Sequence, residues 1–142
     1  MTPVILFACI HNSGRSVAAQ VLAAHYGGDR VIVRSAGSEP STGVNPAVAE
    51  VLAERGLSTE HHVPSMLTID GVQEADAVIT MGCGETCPVF PGKTYEDWQV
   101  DDPKGQPLDV VRRIVDDVDT RVQDLLARLL HLAGGKQPLQ PG

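Results

Sequence analysis

Cys9, Arg15 and Ser16 bracket a short segment, Ile10, His11, Asn12, Ser13 and Gly14, set between an apolar run and a helical pattern. A strand-to-helix turn of this kind can present several backbone amides to one tetrahedral anion. The first N–H groups of a helix lack intrahelical acceptors and carry partial positive charge. Gly14 and Asn12 suit such a loop, since Gly readily and Asn tolerably adopt positive φ. Arg15 adds a planar guanidinium that can bind two oxygens of one anion. The same field stabilises a thiolate at Cys9, and Ser16 stands where its hydroxyl can donate to that sulfur. The expected oxyanion-binding set is Ile10, His11, Asn12, Ser13, Gly14 and Arg15, with the His11 side chain facing outward. A nucleophilic sulfur, a ring of amides and one guanidinium describe in-line attack on a bound oxyanion.

Such an attack expels an oxygen, which leaves far better if it is protonated in flight. Asp101-Asp102-Pro103 supplies a candidate acid. A residue before proline is held extended, so Asp102 is the expected donor and Asp101 its alternative.

These residues need a scaffold, and the chain has the length for one. Its 142 residues support a single domain with a proper core, expected over residues 1–133, with a frayed tail at 134–142. Hydrophobic content is 42% and the net charge is −7. That charge argues against nucleic acid and acidic membranes as partners. It also repels an anionic substrate at long range, so the cradle must act locally. No apolar stretch has transmembrane length, and no signal-type run opens the chain. Three cysteines, an odd number, fit a cytoplasmic protein whose thiols stay reduced unless they are working. A monomer is expected.

The elements follow from hydrophobic period and turn residues. Residues 4–8 read as a buried strand and 16–26 as a helix with Val17, Val21 and Leu22 on one face, closed by Gly27-Gly28. Residues 31–35 are a second strand. Asn45 caps a second helix with Pro46 in its first turn and Gly56 after it. Residues 57–68 are irregular, with a helical turn expected from Pro64, and residues 69–74 form another. Residues 77–81 read as a third strand, 82–92 as a loop or marginal helix, and 94–100 as a short fourth strand. A long helical pattern runs from 107 to 132 through Val110, Val111, Ile114, Val118, Val122, Leu125, Leu126 and Leu129. Strands alternating with helices predict an α/β fold of three layers: a four-stranded parallel sheet, order 2-1-3-4, flavodoxin-like, flanked by helices. Strand 1 is then central, and its carboxyl end is the expected ligand crevice.

At this point the chain resembles the low-molecular-weight protein tyrosine phosphatases and, within that fold, the arsenate reductases that share the loop. The resemblance rests on residues 4–16, Ser35-Ala36-Gly37, residues 81–88, and Trp98 through Asp101-Asp102-Pro103. It implies Cys9 as nucleophile, Arg15 as oxyanion clamp, Ser16 as thiolate support and Asp102 as general acid. Two features favour the reductase branch. Family phosphatases carry aromatic residues just after Asp-Pro, where this chain has Lys104-Gly105-Gln106. Cys83 and Cys87 also stand where a phosphatase needs no thiols.

The resemblance then implies a thiol relay. Cys9 forms an adduct with arsenate, Cys83 attacks the Cys9 sulfur and expels arsenite, and Cys87 takes over the disulfide for an external reductant. The reductant is thioredoxin or, in a related branch, a small thiol such as mycothiol or glutathione followed by a glutaredoxin-like protein. Phosphate and sulfate are expected mimics of arsenate, and no bound cofactor is expected. Some such reductases hold potassium beside the loop; Asn12 and Ser35 fit that pattern, but Gln20 replaces the acidic helix residue, so no required metal is expected. Two other readings stand beside this one. One is a phosphatase acting on phosphotyrosine or small aryl phosphates. The other is a zinc or arsenite binder using Cys83, Cys87, His61 and His62.

Overall fold

The run Val-Ile-Leu-Phe-Ala-Cys has no polar alternation, and such a strand is stable only when both of its faces are covered. The computed structural model, which describes residues 2–60, 62–82 and 93–134, places it at the centre of a parallel sheet. The strands are β1 (Val4–Cys9), β2 (Ile32–Gly37), β3 (Ala77–Met81) and β4 (Thr94–Asp97), in the order β2-β1-β3-β4. The helices are α1 (Arg15–Gly27), α2 (Pro46–Glu54), α3 (Ile69–Glu74) and α4 (Leu108–Gly134). The expected sheet order and three-layer arrangement are those observed.

Strand alternation divides the interior. Ile5, Phe7, Cys9, Ala77, Ile79 and Met81 point into the larger core, against Leu22 of α1, Val51 and Leu52 of α2, and the Val111, Val115, Val118, Val122 and Leu125 stripe of α4. Leu6 and Val78 point the other way, into a smaller cluster closed by Ala36, Val72 and Ala75. Cys9 pairs with Gly37 on one side and Met81 on the other, so the last residue of β1 is braced by both neighbours. Among the described residues no helix is long and apolar enough to cross a membrane.

Three local expectations change. Residues 64–67 form no helical turn: Gly37 donates to the Ser65 carbonyl at 2.8 Å, Leu67 donates to the Gly37 carbonyl at 2.8 Å, and Met66 bridges Gly37 in parallel. The open edge of β2 offers backbone groups that a helical turn would leave unpaired. β4 stops at Asp97 rather than 100. Trp98 still donates to Thr80 at 2.8 Å, but Val100 folds back onto the Trp98 carbonyl at 3.0 Å and the chain turns away. Finally, α1 runs through Gly27 into a short 3₁₀ turn, Gly28–Arg30, and Arg30 donates back to the Gly27 and Tyr26 carbonyls at 3.2 and 2.9 Å. The loop reading of residues 82–92 (beyond Gly82) and the frayed tail (beyond Gly134) lie outside the described residues.

Leu125 is fully buried between α4 and the sheet. Leu125→Ala is expected to cost about 2–5 kcal/mol. Urea denaturation should register this as a lower midpoint with an unchanged slope.

Candidate active site

A peptide carries its donor and acceptor on opposite edges, so a loop that offers amides to an anion must place its carbonyls elsewhere. Residues 38–45, just past β2, take them. Ser38 donates to the Cys9 carbonyl at 3.2 Å, Glu39 to Ile10 at 2.7 Å, Ser41 to His11 at 3.0 Å and Asn45 to Ser13 at 2.7 Å. The amides of residues 11–14 have no acceptor among the described residues. Helix ends elsewhere are closed by side chains: Asn45 Oδ1 accepts from Ala47 and Val48 at the start of α2, and Thr68 accepts from Gly71 at the start of α3. The start of α1 has no such cap and no acidic residue in its first turn. That end of the dipole is left open for an anion.

Two glycines allow this packing. A Cβ on Gly37 would lie 2.5 Å from the Ile10 carbonyl oxygen and 2.8 Å from the Asn12 nitrogen, so the loop can lie on β2 only where that residue has no side chain. Gly14 corrects an expectation. Its φ is −128°, and the left-handed position in the loop is taken by Asn12 at φ 50°. Gly14 has another constraint, because a Cβ there would meet Pro103 Cγ at 2.9 Å. The cradle and the Asp-Pro turn touch at that point.

Cys9 is 2% exposed and sits at the floor of an open cavity of about 440 Å³. Its Sγ lies 2.9 Å from Ser16 Oγ, which accepts a hydrogen bond from Asn12 Nδ2 at 2.8 Å. A hydroxyl has one hydrogen. With Asn12 donating to the oxygen, that hydrogen is free to point at the sulfur. Asn12 is itself fixed, since its Oδ1 accepts from the Ser65 amide at 2.9 Å. Asn12 and Ser16 are the two fully buried polar side chains among the described residues, and this chain of donors satisfies both.

Arg15 and Asp102 both line the cavity. The Arg15 side chain is 11% exposed; Nη1 donates to the Val100 carbonyl at 3.4 Å, and Nη2 lies 3.8 Å from Asp102 Oδ2. The other Asp102 oxygen accepts from the Lys104 amide at 3.0 Å. This Asx turn orients the carboxyl group over the mouth. Asp102 lines the cavity and Asp101 does not. The remaining wall is His11, Ser13, Gly14, Ser41, Gly43, Val44, Asn45, Pro46, Lys104 and Gly105.

The other predicted residues are placed as follows. The His11 ring nitrogen Nδ1 donates to the Glu39 carbonyl at 3.0 Å, so the side chain also ties the loop to its strap. Ile10 and Asn12 support the cradle without lining the cavity. Ser35 donates to Gln20 Oε1, and Gln20 donates to the Val33 carbonyl at 3.5 Å. Cys83, Cys87 and His61 lie outside the described residues. His62 donates to the Asn12 carbonyl at 3.4 Å, and burial holds its imidazole below the usual histidine range. A larger hollow of about 950 Å³, between α1, the edge of β2 and residues 56–71, has no cysteine among its described lining residues.

Sequence reasoning missed the strap at 38–45 and the contact of Gly14 with Pro103. The available signal was position: the strap follows the strand expected to lie beside strand 1, at the same sheet end as Cys9.

A model of the family described as low molecular weight phosphotyrosine protein phosphatase matches residues 4–133. The chain belongs to that family. Its relatives in the family include the glutaredoxin arsenate reductase of Synechocystis, 32% identical over 88% of this chain and 97% of the relative. Another is an arsenate reductase of Bacillus cereus, 33% identical over 84% of this chain and 90% of the relative. Among solved structures, a thioredoxin-dependent arsenate reductase of Corynebacterium glutamicum superposes with a TM-score of 0.81 at 42% identity, covering 93% of this chain. This chain spans 63% of that protein's length. An arginine phosphatase of Geobacillus stearothermophilus gives a TM-score of 0.84 at 26% identity, over 97% of this chain and 99% of its own.

With Asn12 donating to its oxygen, the Ser16 hydroxyl has its one hydrogen to give to Cys9, and that contribution is measurable. A hydrogen bond to a charged group contributes about 1.5–3 kcal/mol. Ser16→Ala is therefore expected to slow alkylation of Cys9 by iodoacetamide at neutral pH about tenfold. Mass spectrometry can follow modification at Cys9 separately from the other two thiols. An unchanged rate would remove Ser16 from the thiolate's support.

Proposed function

We propose that this protein is an arsenate reductase, acting in the cytoplasm as a monomer with no bound cofactor or required metal. The carrying observation is the cavity over Cys9. It offers Arg15 and loop amides that have no acceptor among the described residues to a tetrahedral anion, and its described walls contain no Phe, Tyr or Trp to hold an aryl group. A small inorganic oxyanion suits such walls. The relatives named as arsenate reductases support the same reading.

In this reading the Cys9 thiolate attacks arsenic(V), a sulfur–arsenic bond forms, and one oxygen leaves as water after protonation by Asp102. Arg15 and the amides of the loop hold the remaining oxygens through the expanded transition state. The Cys83 thiolate then attacks the Cys9 sulfur. The sulfur–arsenic bond breaks with its electron pair on arsenic, giving arsenite and a Cys9–Cys83 disulfide. Attack by Cys87 on Cys83 frees Cys9 and moves the disulfide to Cys83–Cys87, which a thioredoxin dithiol reduces. Thioredoxin is preferred as reductant because the structural neighbour of 42% identity is thioredoxin-dependent. A small thiol with a glutaredoxin-like protein is the alternative, favoured by the name of the cyanobacterial relative.

A second activity follows from the same groups. Asp102 shares the cavity with Cys9, and an acid placed there serves the leaving oxygen of a phosphate ester equally well. Weak hydrolysis of aryl phosphates is expected.

The test is NADPH consumption with arsenate, with thioredoxin and its reductase in one assay and a small-thiol system in another. Cys83→Ser is expected to abolish turnover with thioredoxin while leaving aryl phosphate hydrolysis intact, and Cys9→Ser to abolish both. Full turnover by Cys83→Ser would refute the relay, and activity with neither reductant would refute the reductase. Asp102→Asn should lower the rate of arsenate reduction about 10²-fold, and an undiminished rate would exclude Asp102 as the acid.

A further inference from the structure

Gly82 follows β3 directly, one residue beyond Met81, the partner of Cys9 in the sheet. Its φ is 92°, in the left-handed region. A Cβ on this residue would lie 2.8 Å from Arg15 Nη1, 3.3 Å from Cζ and 3.3 Å from Nη2. All three of these contacts are to the guanidinium, nearest at Nη1, so the Nη1–Nη2 end of Arg15 lies where a side chain would be. The same guanidinium also meets the Val100 carbonyl at 3.4 Å and Asp102 at 3.8 Å. The clamp is thus in contact with both the end of β3 and the turn that carries the acid.

We infer that Gly82 is a positioning residue for the oxyanion: its bare backbone forms the wall that sets the Arg15 guanidinium over the cradle. The inference rests on the reading of this cavity as an oxyanion site and adds a residue to it. The physical argument is about where the cost of a side chain falls. At Gly37 a Cβ would strike backbone, and the loop itself would have to move. At Gly82 it would strike the far end of a flexible side chain. Arg15 can yield by several tenths of an ångström or swing aside, so apart from the local strain of a side chain at this φ the cost falls on the placement of the clamp. Charge-assisted bidentate binding depends on that placement, and a shift of about 1 Å in a positioning group can cost about 10²-fold. Gly82 also precedes Cys83 immediately, so the segment bearing the expected resolving thiol begins at the clamp's wall.

The experiment uses full-length Cys9→Ser protein, which keeps the cradle and removes the reactive sulfur, with inorganic phosphate titrated by calorimetry. Gly82→Ala in that background is expected to weaken phosphate binding about tenfold. The side-chain Nε–H resonance of Arg15 in the phosphate-free protein should also move, a change that a purely structural role for Gly82 would not produce. If Gly82→Ala does not fold, Gly82→Asn, whose side chain tolerates left-handed φ, takes its place with the same expectations. Phosphate affinity within about twofold of the parent, or a loss of affinity with the Arg15 resonance unmoved, would overturn the role of Gly82 and leave the oxyanion reading standing. Absence of any phosphate binding by the Cys9→Ser parent would overturn both.

Discussion

The site depends on where the loop after β1 sends its carbonyls. Four of them are drawn outward by the amides of Ser38, Glu39, Ser41 and Asn45, and the amides of residues 11–14 have no acceptor among the described residues and are open to a guest. An anion bound there would replace water at donors that the fold has already oriented, with little reorganisation to pay for on binding. Orientation of that kind is what gives fixed dipoles their effect on a developing charge. The strap can reach the loop because β2 lies beside β1 and ends in Gly37, against which the loop backbone packs within van der Waals distance.

The electrostatics are local in the same sense. A chain with a net charge of −7 gives an anionic substrate no long-range attraction, and at physiological salt distant charges are screened within about 8 Å. Arg15, the open end of α1 and the free amides act within that range. Asp102 opposes them in sign, yet its side chain is 53% exposed and 3.8 Å from the guanidinium. Solvent at that carboxyl group weakens its repulsion of a bound anion, and the Asx turn to Lys104 keeps it over the mouth.

Beneath the sulfur runs a second chain of dependence. Ser65 positions Asn12, Asn12 positions Ser16, and Ser16 directs its hydrogen at Cys9. Ser65 reaches Asn12 from the segment that pairs with the edge of β2. That segment takes the place of the helical turn expected from Pro64. The strand edge therefore contributes to the site as well as to the sheet.

Much of this was legible in the residues alone. An unbroken apolar run marked β1 as a buried strand and a largely apolar one marked β3, helical period marked α1 and α4, cap residues marked α2, and the order of strands and helices implied a parallel sheet with Cys9 at its carboxyl end. The identities of Cys9, Arg15 and Ser16 pointed to a nucleophilic sulfur beside an anion cradle, because those signals lie close together along the chain. What tertiary structure decided involves partners far apart in sequence: Asp102 over Asp101 as the carboxylate at the cavity, Pro103 as the reason for glycine at 14, residues 38–45 as the strap, and Gly82 beside the Arg15 guanidinium. Periodicity and turn chemistry are encoded by near neighbours. Which distant backbone meets which side chain depends on strand register and on the path of each connection, and those follow only once the whole core has packed.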